Sequence, residues 1–239
     1  MKILSFNTSG VGTQMSLKSE RKTSYLEVPF SKHSETFFPL LENFLHENNV
    51  KLSDIDVFGV VVGPGSFTGI RIGLSVVKMF SYVYNKPCVA VNALNVLAYN
   101  NNSSNQKVCA VINAGAGLLY YQIFGENKQP LTTERICTFA QFKKIKSKFN
   151  DVKIVYYNNE EKKYICDFLD EFLQKLTAKS LEECVYNAVK EKHLTKYQEI
   201  TPLYIRLSQA EISVLDGDLK VEKATKENLQ EIMEIEKTT

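Results

Sequence analysis

At 239 residues, with 44% hydrophobic and 23% charged side chains and a formal net charge of +2, the chain has an ordinary globular composition, enough for one large core or two modest ones. No stretch of about 18 uncharged apolar residues marks a membrane span, and the start Met1-Lys2-Ile3-Leu4-Ser5-Phe6-Asn7 turns polar too early for a secretory leader. A near-neutral balance also lacks the basic excess of a protein that grips nucleic acid by itself. A cytoplasmic protein with no membrane partner is expected.

Along the chain, Ile3-Leu4-Ser5-Phe6-Asn7, Thr13-Gln14-Met15-Ser16-Leu17 and Tyr25-Leu26-Glu27-Val28 read as three strands in a meander. Ser31 or Ser34 then caps a helix with Phe37, Leu41, Phe44 and Leu45 at helical spacing, and Pro39 predicts a late start or a bend. Residues Val57 to Val62 form an apolar run without alternation, which fits a strand buried on both faces. It breaks at Gly63-Pro64-Gly65, where Pro64 fixes its own φ and the glycines permit a sharp turn. Ser66 stands as N-cap of a helix running to about Tyr84, and Cys88-Val89-Ala90-Val91 makes a further short strand.

The polar stretch Asn100 to Asn105 suits a surface loop between two lobes. Beyond it, Val108 to Ile112 and Leu118 to Phe124, joined by Gly115-Ala116-Gly117, repeat the strand-turn-strand opening of the first lobe and point to an internal duplication. A strand over 153–157 and helical patterns over 160–177 and 181–193 follow. Lys143-Lys144-Ile145-Lys146 reads as a solvated helix face. In the tail, Thr225 caps an amphipathic helix start with Leu229, Ile232, Met233 and Ile235 on one side. The expected organisation is an N-terminal lobe over 1–102, a C-terminal lobe over 103–215 and a tail over 216–239.

Candidate chemistry is sparse. Five cysteines, Cys88, Cys109, Cys137, Cys166 and Cys184, are widely spaced with no CxxC pair, so they read as reduced core thiols. His33, His46 and His193 have no Cys or carboxylate at ligand spacing, and Ser66 lies in Gly-Pro-Gly-Ser-Phe, not in a nucleophile-elbow pattern. Neither a metal site nor a nucleophile is implied.

The string Gly63-Pro64-Gly65-Ser66-Phe67-Thr68-Gly69-Ile70-Arg71-Ile72-Gly73 resembles the signature of the TsaB (YeaZ-type) family. The likeness extends to Ile3 through Ser9, to His33-Ser34-Glu35 and to Pro202-Leu203-Tyr204-Ile205-Arg206, and so spans roughly residues 1–210. It implies an α/β protein of the actin/Hsp70/sugar-kinase-like (ASKHA) fold, two lobes with mixed sheets flanked by helices. It also implies a non-catalytic subunit that binds a TsaD-like catalytic protein for threonylcarbamoyl transfer to tRNA adenosine. A TsaE-like ATPase is a further candidate partner, tRNA is met only through the complex, and self-pairing is expected when the partner is absent. The alternatives are an ATPase or nucleotide-binding protein of the same fold and a metallopeptidase-like protein.

Two departures bear on this choice. The family usually carries aspartate where this chain has Asn7, and tends to read Asp-Ala-Arg at Asn113-Ala114-Gly115. Loss of those carboxylates removes the oxygen ligands that a magnesium-nucleotide complex uses, so no cofactor is implied. The tail also resembles the opening of a RimI-type acetyltransferase. Gly69 and Gly73, four apart on one helical face, predict a close approach of another backbone. The candidate partner interface is therefore His33, Phe37, Leu41, Gly69, Ile70, Gly73, Leu74 and Val77, with Gly63, Pro64, Gly65, Ser66, Phe67, Thr68 and Arg71 as the signature loop.

Overall fold

A computed structural model describes residues 1–29, 33–100, 106–149, 151–158 and 167–205. In chain order its elements are β1 (Ile3–Asn7), β2 (Thr13–Lys18), β3 (Thr23–Val28), α1 (His33–Glu47), β4 (Val57–Val61), α2 (Phe67–Val83), β5 (Cys88–Val91), α3 (Ala93–Tyr99), β6 (Lys107–Gly115), β7 (Leu118–Phe124), β8 (Arg135–Thr138), α4 (Phe139–Lys146), β9 (Val152–Tyr157) and α5 (Ala178–Lys190). Short 3-10 turns occur at Leu52–Asp54 and Asp167–Phe172.

The strands form two mixed sheets, ordered β3-β2-β1-β4-β5 and β8-β7-β6-β9. In each, the leading strand pairs antiparallel with the next strand and parallel with the strand that follows the first intervening helix, β1 with β4 and β6 with β9. The expected duplication is therefore visible in the pairing. β1 and β4 are buried along their whole lengths, as the unbroken apolar run of β4 requires.

Alternate residues of the first sheet enter different cores. Leu4, Phe6, Met15, Phe58 and Val60 meet α1 and α2, while Ile3, Val57, Val61 and Val89 meet α3 and α5. That second core also takes Val108, Ala110 and Ile112 from the second sheet, whose far face packs Cys109, Val111 and Tyr121 against Phe142 and Ile145 of α4. The layers run α1/α2, first sheet, α3/α5, second sheet, α4.

Helices cross the expected lobe boundary. α5, late in the chain, lies over β1, β2, β3 and β5, and α3, which precedes residue 102, lies over β6, β7 and β9. Polar contacts fix α5 there. The Glu27 carboxylate accepts the N–H of Ala178 at 2.7 Å, so a β3 side chain caps the helix start, and Lys18 Nζ lies 2.7 Å from the Glu182 carboxylate. The Tyr25 hydroxyl donates to Glu182 at 3.4 Å; burial and that carboxylate hold its pKa above the usual phenol value.

Several expectations change. α1 starts at His33 and runs through Pro39, so it does not start late, and Ser34 lies inside its first turn; Ser31 is outside the described residues. The helical pattern over 160–177 yields, among the described residues, only the 3-10 turn at Asp167–Phe172, because Gln174 N–H is drawn to the Tyr156 carbonyl at the end of β9. The short α3 and β8 went unread in the sequence. α3 is capped by Asn92, whose side chain accepts from Asn95 N–H. In the lysine run, Lys143 and Lys144 are exposed, but Lys146 folds back onto the 3-10 turn, 3.2 Å from Glu171 and 4.3 Å from the Phe172 ring. No helix among the described residues is long and apolar enough to cross a membrane.

Cys88, Cys109, Cys137 and Cys184 are free and buried, and burial raises the pKa of Cys88, Cys109 and Cys184. A raised value leaves these thiols protonated at neutral pH and unreactive. A thiol reagent at pH 7.5 is expected to leave Cys88, Cys109, Cys137 and Cys184 unmodified in the folded chain and to label all of them in denaturant, read by peptide mass spectrometry.

Candidate functional site

The signature segment begins where β4 ends. The Val62 carbonyl accepts the N–H of Leu203 at 2.8 Å, so two motifs far apart in sequence lie side by side. Gly63 has φ of +120°, and a Cβ there would sit 2.7 Å from the Leu203 carbonyl oxygen; the Gly63-Pro64 peptide is cis. Ser66 caps α2 as its position predicts, its hydroxyl accepting from Gly69 N–H at 3.2 Å, while Ser66 N–H donates to the Ser9 carbonyl at 2.7 Å.

The close approach at Gly69 and Gly73 is made by this chain's own loop after β1. A Cβ at Gly69 would strike the Thr8 carbonyl oxygen, and one at Gly73 would lie 2.6 Å from Thr8 Oγ1. The Thr8 hydroxyl donates to the Gly69 carbonyl at 2.7 Å, locking the loop to the helix. The glycine pair therefore belongs to internal packing.

The same correction applies to most of the expected interface. Phe37, Leu41, Ile70, Leu74 and Val77 are buried, four of them in one core with Phe6, Phe58 and Phe80, and of the five only Phe37 also lines the hollow on the outer side of the helices. Helical periodicity marks the face that the protein's own sheet covers. His33 opens α1, but its side chain lies outside the described part.

Signature residues do reach the surface, on the opposite side of α2. Phe67, Thr68 and Arg71 are exposed and, with Phe38 of α1 and Ile72, Ser75 and Met79 further along α2, line a hollow of about 570 Å³. Phe38 is 53% exposed, Phe67 45% and Met79 43%, and the apolar strip continues to Tyr82 and Val83. Isolated exposed apolar residues need no explanation, but a contiguous strip along two helices does. At one end the Arg71 guanidinium lies 3.9 Å from the centre of the Phe67 ring, and its Nε donates to the Tyr204 hydroxyl at 3.0 Å. Tyr204 in turn stacks on Phe67 at 5.2 Å. Phe38, Met79, Tyr82 and Val83 were missed in the sequence; their signal was apolar character out of phase with the buried stripe.

Asn7 ends β1 and Asn113 lies near the end of β6, the two positions where the family resemblance implies aspartate. Asn7 and Asn113 are buried and play matching parts. The Asn7 carbonyl accepts from Ser9 N–H at 3.0 Å and Ser9 hydroxyl at 2.7 Å, and the Asn113 carbonyl accepts from Gly115 N–H at 2.9 Å. Each amide thus closes the turn that leaves its strand. Tyr157, at the end of β9, reaches the first loop: its hydroxyl accepts from Val11 N–H at 3.4 Å and lies 2.5 Å from where a Gly10 Cβ would be. Burial raises the Tyr157 pKa, so it stays a neutral phenol. Asn7 Nδ2 and its cross-strand neighbour Gln14 Oε1 have no hydrogen-bond partner among the described residues. Among the described residues no three His, Cys, Asp or Glu side chains gather at a point.

Replacing Gly69 by alanine forces Cβ into the Thr8 carbonyl and is expected to destabilise the fold by about 3 kcal/mol, against less than about 0.5 kcal/mol for Ser75→Ala on the exposed face. Urea unfolding of the two variants measures the difference.

Comparison with known proteins fits this geometry. The family model described as TsaD: tRNA N6-adenosine threonylcarbamoyltransferase matches residues 27–237. The chain is 24% identical to the tRNA threonylcarbamoyladenosine biosynthesis protein TsaB of Bacillus subtilis, over 91% of this chain and 99% of that one. It is 30% identical to TsaB of Buchnera aphidicola, over 52% of this chain. That match spans only 58% of the Buchnera protein, and matched threonylcarbamoyltransferases from Persephonella marina and Clostridium kluyveri are spanned over 24% and 29% of their lengths. Among solved structures, YeaZ from Pseudomonas aeruginosa superposes with a TM-score of 0.70 at 19% identity, covering 85% of this chain and 100% of that one, which makes the fold ASKHA-like. The chain therefore belongs to the family that the matched model describes and, within it, to the TsaB/YeaZ proteins of threonylcarbamoyladenosine biosynthesis.

Proposed function

We propose that this chain is a non-catalytic subunit that docks a TsaD-like catalytic protein through the outer face of α1 and α2, the transfer of threonylcarbamoyl to tRNA adenosine taking place on the partner. The observation that carries this reading is the exposed apolar strip from Phe38 and Phe67 through Met79 to Tyr82 and Val83, on helices whose opposite face is already buried. Aromatic residues and methionine beside an arginine are the composition of a protein interface core. Ser75, in the middle of the strip, lets a partner helix come close.

The strand-end loops support the non-catalytic half of the proposal. Asn7 and Asn113 spend their carbonyl oxygens on their own turns, and Tyr157 stands against Gly10. A phosphate at the first loop competes with the Tyr157 hydroxyl for the Val11 N–H, and neither loop brings a carboxylate to organise a metal-nucleotide complex. In this reading tRNA is met through the complex, a TsaE-like ATPase acts on the assembly, and the free chain pairs with a second copy through the same strip in the cytoplasm.

Phe38→Asp with Met79→Asp places two charges on the strip at side chains that are about half exposed, with loss of the edge contact between Phe38 and the buried Phe37. Association with the TsaD-like partner is expected to weaken at least about 30-fold, with yield of modified tRNA falling in a reconstituted reaction, while thermal unfolding stays near that of the parent. Unchanged association by calorimetry contradicts the docking face.

A further inference from the structure

We propose that Arg71 selects the partner: within the docking face its guanidinium is a fixed receptor for one carboxylate, carried on an apolar helix of the partner. This rests on the docking reading above and adds to it the chemistry that the partner must bring.

The side chain is held before anything binds. Phe67, Arg71, Ser75 and Met79 recur every four residues along the exposed side of α2, so Arg71 stands inside the apolar row and not beside it. Its guanidinium lies 3.9 Å from the centre of the Phe67 ring and its Nε donates to the Tyr204 hydroxyl at 3.0 Å, while Tyr204 stacks on Phe67 with ring centres 5.2 Å apart. Rotamer freedom that an arginine ordinarily loses on binding is thus already gone. The anchor uses Nε alone. Neither terminal nitrogen has a hydrogen-bond or ion-pair partner among the described residues, and two donors in a fixed fork match the two oxygens of a carboxylate.

The surroundings decide what carries that anion. Arg71 is the one charged residue lining the hollow, whose other walls are apolar apart from the Thr68 and Ser75 hydroxyls. A phosphate backbone keeps its hydration and leaves such walls wet. A protein helix fills them with a large apolar side chain and places a carboxylate one turn away. Closing that helix over Arg71 strips water from the guanidinium. With a carboxylate opposite, the pair is charge-assisted and shielded from solvent; without one, the cation is covered unpaired, and that penalty rejects an apolar helix of the wrong sequence. Arg71 therefore adds discrimination to a strip whose apolar side chains alone would accept many partners.

The test titrates the full chain with the TsaD-like partner by calorimetry. Arg71→Met keeps the stem and removes the charge, and is expected to weaken association about 30-fold or more. Arg71→Lys keeps the charge without the fork and should lose about tenfold. Tyr204→Phe leaves the guanidinium but removes the Nε anchor and should lose about fivefold. Thermal unfolding of the three variants stays near that of the parent. Arg71→Glu is then paired with partner variants in which each Asp and Glu, within the segments that association protects from hydrogen exchange, is changed to Lys in turn. One pair should recover binding to within about fivefold of the parent. Unchanged association for Arg71→Met overturns the inference, as does a loss in Arg71→Glu that no partner substitution recovers. If the doubly charged Phe38→Asp, Met79→Asp variant binds weakly while Arg71→Met binds normally, the docking face stands and only the carboxylate receptor is lost. If both bind normally, the docking reading itself falls.

Discussion

The contact between the Thr8-Ser9 peptide and the first two turns of α2 is the constraint from which the first lobe is arranged. Four hydrogen-bonding groups and two missing side chains meet there: Thr8 donates to the Gly69 carbonyl, Ser66 N–H donates to the Ser9 carbonyl, and Gly69 and Gly73 clear the space the loop occupies. Loop, helix start and strand end are therefore a single unit. β1 and β4 are parallel neighbours, so their two exits emerge at the same edge of the sheet, and the signature string is what allows both to turn there without collision. Leu203 adds a third strand of backbone to the same point through the Val62 carbonyl.

From this unit the division between structure and function follows. The inward side of α2 is spent on the sheet and the loop, which leaves its outward side, with Phe38 of α1, as the apolar surface not used in folding. The two strand-end turns are closed by their own asparagines, and Tyr157 lies across the first of them. The exchange of α3 and α5 across the middle of the molecule, with Glu27 capping α5 and Lys18 paired to Glu182, ties the sheets together around that region.

Much of this was legible in the residues. The strand at Val57, the Ser66 cap, the three-strand meander and the repeated opening at Val108 all rest on local patterns, and the structure has each of them. The residues of the exposed strip were not legible for a specific reason. Periodicity at Phe37, Leu41, Ile70, Leu74 and Val77 reports that a face is buried, without saying by what, and the sheet claims it first. The close approach at Gly69 and Gly73 was correctly anticipated, but its partner, Thr8, is about sixty residues away in sequence. Likewise nothing near Asn7 announces Tyr157, and nothing near Phe67 announces Tyr204, because each meeting joins segments more than 130 residues apart in the chain. The acetyltransferase-like reading of the tail falls on residues outside those described, although the family match runs through residue 237.

Hydrogen exchange on the full chain with and without a TsaD-like partner tests the account most directly. The account predicts slowed exchange along α1 and α2, with the loops at 8–12 and 113–117 unchanged. Protection concentrated in those two loops, with the helices unaffected, would contradict it.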